Sequence, residues 1–518
     1  LSKSETNFIF DVVRRLAPIR SLPTTSRRTL LGGLGATMAL PLLPAITLLE
    51  SASTVTAEAE TTPQSVPIRP QPVPTAVQTV ATAQISTTAT SVLPNYFMGL
   101  SYEKGDFVTE LLFTGSNLQL AGLFNRLGNG VLRIGGNSVD TTVWNANGEG
   151  NTAGQVAPAD IENLAQFMAL TNWKLLYALN LATSTPALAA AEAAYVQSVL
   201  GNVLLGFEIG NEPDEYGLSY FPTGWNLTAF ETLWEQFRSA IVEAVPAAVI
   251  TGPATAGNIT TWTAPFVMGP NGGQIAVLTQ HYYRGNGHSV NATVANLVSA
   301  DNTIVADCVA LKSSVAGVKI PFRFAETNSY LYGGSPGVSN AYASALWAID
   351  HLFHIAYGGG SGVNMQGGDD AYYTPIENDN SVIVQAQPEY YGLLFFSLAG
   401  QGELLPTKFS VANFNATIYA VRTATGGLNI VMVNKEVFQS LKITIDCNQQ
   451  VNAADLIELQ GSSLSATSGQ TIQGYSVTVD GSFIPGPTSG LPYAPENISS
   501  SWVTCYVPAI SAVLLRVS

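Results

Sequence analysis

Between about residues 95 and 375, short apolar runs alternate with longer stretches whose apolar residues recur every three or four positions. The short runs predict strands at 96–102, 130–134, 174–179, 203–210, 249–252, 275–281, 321–325 and 362–365. The longer stretches predict helices at 158–170, 185–200, 229–245, 290–316 and 340–357. Strands alternating with helices predict a parallel (β/α)8 barrel. An open doubly wound sheet is the alternative that the same alternation allows. Beyond about residue 381 the helical spacing fades. Strand-like runs at 417–422, 427–433, 441–445, 453–459 and 509–517, punctuated by Gly, Ser and Pro, predict an antiparallel β-sandwich. An earlier run, 76–88, alternates weakly with β-branched residues and reads as a strand. It precedes the first barrel strand, so its expected partner is the sandwich.

The first 75 residues differ from the rest. Residues 1–50 hold six basic side chains against three acidic ones, whereas the whole 518-residue chain carries a net charge of −15. Arg27 and Arg28 lead into an uncharged run from Thr29 to Leu49. This looks like a bacterial twin-arginine export signal, with a membrane anchor as the alternative; Pro41, Pro44 and the glycines of the run weaken an anchor. Residues 51–75 are rich in Ser, Thr, Pro and Ala and lack periodicity, which predicts a disordered linker. The expected organisation is export signal 1–50, linker 51–75, sandwich-joining strand 76–92, barrel 93–380 and sandwich 381–518. Such a chain is periplasmic or secreted and keeps no stable membrane association once the signal is removed.

Composition narrows the function. Charged residues make up 11% of the chain and hydrophobic ones 46%, enough for a sizeable core. The acidic balance argues against nucleic-acid binding, which needs a basic surface. Three cysteines are too few for a disulfide framework; Cys447 and Cys505 lie in the β-rich part and could pair, and Cys308 reads as a buried small hydrophobe. The glycines of 126–137 do not form GxGxxG, and neither CxxC nor HExxH occurs, so no cofactor or metal is expected. His351 and His354 stand three apart in a helical stretch; packing is the expected role.

The chemistry gathers at the ends of the predicted strands. Val203–Ile209 closes on Gly210-Asn211-Glu212-Pro213, and proline ends an interior strand. Glu103, Asn137, Asn180, His281-Tyr282-Tyr283-Arg284, Glu326-Thr327-Asn328 and Gln366 hold corresponding positions on the other strands. In parallel barrels reactive groups collect at this mouth. A solvated Asn-Glu-Pro turn is the plainer reading of Glu212 taken alone. Two carboxylates at the ends of strands four and seven face each other across the mouth, as retaining glycoside hydrolysis requires: one acid protonates the leaving oxygen and the other attacks the anomeric carbon.

Phe207–Gly217 (FEIGNEPDEYG) and Arg323–Gly334 (RFAETNSYLYGG) resemble the acid/base and nucleophile motifs of glycoside hydrolase family 79, among the clan A barrels. The sequences GLSYE at 99–103, LRIGGNSVD at 132–140 and the terminal VPAISAVLLRVS resemble further parts of that family, so the likeness spans about residues 76–518. The family contains β-glucuronidases and heparanase-like enzymes, and its fold is a barrel with a sandwich that borrows an N-terminal strand. The resemblance implies Glu212 as acid/base and Glu326 as nucleophile. It implies Asn211 on the sugar 2-hydroxyl and Tyr282 hydrogen-bonded to the nucleophile. It places Arg133 beneath Glu326, Glu103 and Asn137 along the glycone pocket, and Tyr330, Tyr332, Tyr372 and Tyr373 as candidates for a uronic acid carboxylate. Gln366, after strand eight, joins the pocket. An ion pair with Glu208 is an equally good role for Arg133. The implied activity is a retaining exo-β-glycosidase, foremost a β-glucuronidase, with a carbohydrate or glycoside as partner. Two alternatives stay open: a β-glycosidase for neutral sugars such as glucosides of plant phenolics, and a carbohydrate-binding protein without catalysis.

Overall fold

The structure, a computed structural model, describes residues 69–368, 371–409 and 411–518. The export signal and all but the end of the linker lie outside the described residues. Eight parallel strands close into a barrel: β1 (Gly99–Glu103), β2 (Val131–Gly135), β3 (Lys174–Leu179), β4 (Leu204–Ile209), β5 (Ile250–Thr255), β6 (Val277–Asn286), β7 (Phe322–Leu331) and β8 (Val363–Gln366). β8 pairs with β1 through Met365–Leu100 and Gln366–Ser101, which completes the ring. The strands are buried on both faces, and they read as nearly continuous apolar runs for that reason.

Two helical expectations are corrected. The single helix at 290–316 is two, Val294–Leu297 and Asn302–Val315; Asp301 caps the second by accepting from the Ile304 N–H at 3.3 Å. The chain also does not pass directly into the sandwich at 381. A hairpin (Ile376–Asp379 with Val382–Ala386) is followed by the helix Pro388–Ala399. That helix is almost wholly buried against the helix Tyr342–Gly358, with Phe353 and Phe396 rings 4.8 Å apart. A helix apolar all round has no polar face, so no amphipathic spacing announces it.

The sandwich has two sheets. One runs through Ala416–Arg422, Leu428–Asn434, Ser511–Val517 and Ala454–Gln460, each antiparallel to the next. The other has five strands. Val77–Ile85 lies inside it, parallel to Gln439–Asp446 on one side and antiparallel to Thr407–Phe409 on the other. The early strand therefore pairs with the sandwich. Ala81, Ala83 and Ile85 enter its core beside Ile443, Val503 and Leu515. Cys447 and Cys505 stand in that core as free thiols, not as a pair. The last residues of the expected linker are ordered too. Arg69–Pro70 pair with Tyr493–Ala494, and the buried Gln71 amide donates to Glu458 Oε1 at 2.9 Å and Tyr506 O at 2.7 Å.

Barrel and sandwich meet along the helix Tyr342–Gly358. Asp350 pairs with Lys435 and accepts from Tyr419 Oη at 3.0 Å, and Phe353 stacks on Tyr419 at 4.4 Å. His351 and His354 are packing residues of this helix; burial pushes His351 down to about 3 and lowers His354 as well. Deleting the chain through Thr88 should leave Gln439–Asp446 as a bare sheet edge and strip the core of Ile85, worth about 1.5–3 kcal/mol alone. The expected outcome is an aggregating protein without a cooperative thermal transition. A soluble truncate that melts like the full chain would show the strand to be dispensable.

Candidate active site

Arg133, on β2, points into the barrel and is fully buried. Its guanidinium connects most of the polar groups that the strands bring inward. Nε donates to Glu208 Oε2 at 2.6 Å, Nη1 to Ser101 Oγ at 3.1 Å and to Glu326 Oε2 at 2.9 Å, and Nη2 to Asn211 Oδ1 at 3.0 Å. Both roles considered for Arg133, partner of Glu208 and support of Glu326, are filled by one side chain. Its positive charge is locked in by the two carboxylates despite burial. Deeper in the barrel Arg323 is held by Asn364 Oδ1 and by the carbonyls of Tyr96 and Val363; burial lowers it to about 9.

Glu326 reaches the barrel interior through a bulge. Strand alternation from Arg323, which points inward, would turn residue 326 outward. Instead β7 carries one extra residue: Phe324 pairs with Gln280 and Glu326 with His281, and on the other side Phe324 pairs with Val363 and Thr327 with Met365. Ala325 and Glu326 therefore both face inward, a re-aiming that bulges commonly perform beside active sites. Glu326 Oε1 accepts from Tyr283 Oη at 2.9 Å. Burial pushes the Glu326 carboxyl up, but His281 and Arg133, with the hydrogen bonds from Tyr283 and Arg133, outweigh it and hold the group below the usual carboxylate range.

The Tyr283 contact corrects the role implied for Tyr282. Thr279, His281 and Tyr283 share the inner face of β6, while Tyr282 shares the outer face with Leu278. Tyr282 Oη donates to Asp301 Oδ2 at 2.7 Å, and its ring stacks on His351. His281, one of the polar groups at the strand ends to which the residue pattern gave no role, also lies on this inner face. Nδ1 lies 2.9 Å from Glu212 Oε1, and Nε2 lies 3.3 Å from Arg133 Nη2. The guanidinium can only donate, so the neutral imidazole accepts at Nε2 and offers its Nδ1–H to Glu212. Burial opposes protonation of the ring, the charges of Glu326 and Glu212 favour it, and the balance is a raised His281 pKa.

Glu212 follows β4 in a left-handed conformation, φ 51°, which non-glycine residues seldom adopt. Several contacts hold it there. Its N–H donates to Ala254 O at 2.9 Å. Asn211 N–H donates to Asp140 Oδ2 at 3.1 Å, and Asp140 Oδ1 takes the N–H groups of Leu181 and Ala182. Gly210, at φ 86°, must be glycine, because a Cβ would come within 2.6 Å of Tyr216 Oη. Asp140 and Tyr216 are thus positioning residues that join the loops after β2, β3 and β4. Neither was singled out by the sequence pattern, since their partners are remote backbone groups.

The other candidates divide. Glu103 ends β1 and accepts the N–H groups of Asn137 at 3.0 Å and Ser138 at 2.8 Å. Gly136 leaves the room; a Cβ there would meet the Glu103 carboxyl carbon at 2.2 Å. Burial first, and the charge of Glu326 second, push Glu103 up to about 7. Asn137 Oδ1 accepts from Asn211 Nδ2 at 3.2 Å. Tyr373 is buried beside Tyr283, with ring centroids 6.0 Å apart. Gln366 is buried on β8, and its Oε1 has no hydrogen-bond partner among the described residues. These groups converge with the two glutamates. Tyr330, Tyr332 and Tyr372 do not join them. Tyr330 turns toward Thr293 O and lines a separate cleft with Arg284 and Asp301. Tyr332 and Tyr372 are exposed.

Glu212, His281 and Glu326 offer three ligand atoms within 4.8 Å of one another. A metal ion there would meet the Arg133 guanidinium, which already bonds Glu326 Oε2 and faces His281 Nε2. The arrangement suits proton transfer and nucleophilic attack better than metal binding.

No family model matches the chain. It is 28% identical over 218 residues to a β-glucuronidase of Aspergillus niger and 23% identical over 304 residues to a β-glucuronidase of Neurospora crassa. The matches cover 37% and 50% of this chain, and 40% and 54% of those proteins. The chain thus spans about half or less of the length of the curated relatives it matches. Among solved structures, a 4-O-α-L-rhamnosyl-β-D-glucuronidase from Fusarium oxysporum superposes with a TM-score of 0.67 at 17% identity, over 84% of this chain and 99% of that one. At this identity the likeness is one of fold: a (β/α)8 barrel joined to a β-sandwich, the architecture of that glycoside hydrolase.

Proposed function

We propose that this chain is a retaining exo-β-glycosidase of the glycoside hydrolase family 79 kind, with β-glucuronides as its foremost substrates. The observation that carries the reading is the pair Glu212 and Glu326, which face each other at the barrel mouth with oxygens within 4.8 Å. That spacing supports a double displacement, for which the carboxyl groups stand ~5–5.5 Å apart, rather than inversion, which needs ~6.5–9.5 Å. Glu326, ionised and held by Arg133 and Tyr283, attacks the anomeric carbon. Glu212, with Oε1 engaged by His281, gives the proton on Oε2 to the departing glycosidic oxygen. The carbon–oxygen bond breaks and a glycosyl ester of Glu326 forms. Glu212 then takes a proton from water, which attacks the ester and releases the sugar with its β configuration. Asn211 Nδ2, which donates to Asn137 Oδ1 at 3.2 Å, is the group this reading assigns to the sugar 2-hydroxyl. Gln366 Oε1 needs a donor that a sugar hydroxyl can supply, since a buried unpaired acceptor costs ~1–3 kcal/mol.

The relatives support glucuronic acid as the glycone, and Tyr373, buried beside Tyr283, offers a hydroxyl to its carboxylate. Glu103 favours the second reading, a neutral sugar. It is a further acid near Glu326, and Arg133, the cation beside them, is already shared by Glu208 and Glu326.

A panel of 4-nitrophenyl β-glycosides tests both. On the first reading the β-glucuronide exceeds the β-glucoside, β-xyloside and β-galactoside in kcat/KM by roughly tenfold or more below pH 7. Glu103 is raised to about 7, so its neutral form prevails below that pH and its charge appears above it. KM for the anionic glucuronide should therefore climb roughly tenfold from about pH 6 to pH 8, while KM for any neutral glycoside stays flat. Preference for the glucoside selects the second reading. Binding without turnover of any glycoside would leave only a carbohydrate-binding protein.

A further inference from the structure

We infer that Asn328, locked by the buried acid Glu389, is a positioning residue: it fastens the β8 wall of the glycone pocket to the strand that carries Glu326. This rests on the glycosidase reading and deepens it. Glu326 and Asn328 pair with His281 and Tyr283 of β6, so Asn328 shares the inner face with Glu326, two residues further along. Its side chain is fully buried. Its amide nitrogen donates to Gln366 O at 2.9 Å, to Tyr373 O at 3.2 Å and to Glu389 Oε1 at 3.1 Å. Its Oδ1 accepts from the Ser329 N–H at 2.6 Å, which fixes the end of the amide that is nitrogen. β8 ends at Gln366 and the next strand begins at Ile376, so Tyr373 lies in no strand, and the Asn328 amide ties its carbonyl to the barrel. Gln366 and Tyr373 are the groups that the glycosidase reading sets against the sugar from this side. One amide therefore fixes where both stand relative to the nucleophile.

Glu389 makes the third contact without taking the amide away from the wall. An asparagine amide has two hydrogens, and here three oxygens share them. Glu389 stands in the first turn of the helix Pro388–Ala399, is almost fully buried, and has no hydrogen-bond partner on Oε2 among the described residues. Burial pushes its carboxyl well above the usual range, the Asn328 bond opposes that only in part, and no lysine or arginine offsets it. The acid is therefore neutral at ordinary pH. Its carbonyl oxygen then competes with the two peptide carbonyls on even terms. A carboxylate would draw one hydrogen to itself, because charge-assisted hydrogen bonds are about twice as strong, and would release Gln366 O or Tyr373 O.

The test compares two 4-nitrophenyl glycosides: the β-xyloside, and the β-glucuronide or β-glucoside, whichever the wild type prefers. A xyloside lacks the C6 group set against Tyr373. KM and kcat are measured, with Ki in place of KM where a glycoside binds without turnover. Asn328→Ala should raise KM for the C6-bearing glycoside roughly tenfold or more and lower kcat less than about threefold, because the glycone contacts are lost alike from ground and transition states. KM for the xyloside should rise only about threefold, through Gln366 alone. Glu389→Gln, which keeps a neutral acceptor, should match the wild type within about twofold on both. Glu389→Leu, which removes the third contact, should lie between. Equal KM rises on the two glycosides in Asn328→Ala, or a loss confined to kcat, would overturn the positioning role. A Glu389→Gln variant as impaired as Asn328→Ala would do the same, since a neutral acceptor would then not suffice. Should Asn328→Ala fail to fold, Glu389→Leu decides: a KM rise greater on the C6-bearing glycoside upholds the role, and wild-type KM on both removes it. A wild type that turns over no glycoside of the panel sinks the glycosidase reading, a result distinct from any of these.

Discussion

Replacing Glu326 by glutamine is expected to lower kcat roughly 10⁴-fold or more on every glycoside, good and poor leaving groups alike. An amide cannot form the glycosyl ester, so the first step has no nucleophile. The structure adds a second loss. Glu326 accepts from Arg133 Nη1 through one oxygen and from Tyr283 Oη through the other. A glutamine has one acceptor and one amino group, so one donor must face another donor or turn away. The fold should survive, because Arg133 keeps its bond to Glu208 at 2.6 Å and its bond to Asn211. Thermal unfolding close to wild type, with no turnover even of a dinitrophenyl glycoside, is the expected pair of results. A variant that unfolds early would make Arg133 and Glu326 chiefly structural. A folded variant that keeps more than about one hundredth of wild-type kcat would place the nucleophile elsewhere, since loss of a true nucleophile costs far more.

The parts of this architecture that could be read in the residues are those where local chemistry and position coincide. Glu212 was legible because Pro213 ends a buried strand directly after it. Glu326 was legible as the acid closing another apolar run, and the early strand Val77–Ile85 as one with no barrel partner left to it. What escaped depends on phase or on distance. Tyr282 and Tyr283 are chemically alike, and a strand buried on both faces gives no polar side to set the register. Only the alternation with His281 separates them. Tyr283 falls in step with His281 and reaches Glu326, while Tyr282 falls in step with Leu278 and reaches Asp301. The bulge at Ala325–Glu326 breaks that same alternation, and nothing in RFAETN announces it. Asp140 acts through the backbone of residues 181, 182 and 211, contacts that exist only once three strand ends are side by side. Tyr332 stands beside tyrosines that suggested a uronate pocket, yet its left-handed backbone turns it to solvent.

The two glutamates differ in ways that suit them to different roles in the proposed double displacement. Glu326 receives two strong donors and its side chain is 9% exposed; Glu212 has His281 on one oxygen and is 18% exposed. The better-solvated and less strongly bonded acid is the one suited to exchange a proton with a leaving group and then with water. Glu212→Ala is accordingly expected to lower kcat/KM roughly 10²–10⁴-fold for alkyl and other poor leaving groups, which need protonation to depart. Dinitrophenyl glycosides leave without that help, so their first step should be nearly unimpaired. The ester on Glu326 then accumulates, because no base remains to activate water. A burst of dinitrophenol followed by slow turnover should appear. Azide needs no base, so adding it should restore turnover and yield the β-glycosyl azide, retention being the result of two inversions. The fold is not at risk, since alanine tolerates φ 51° about as well as glutamate and the Asp140 anchor lies on the backbone. Equal losses on good and poor leaving groups, with no response to azide, would show that Glu212 is not the acid/base. Inverted configuration in the first product released by the wild type would overturn the double displacement for both glutamates at once.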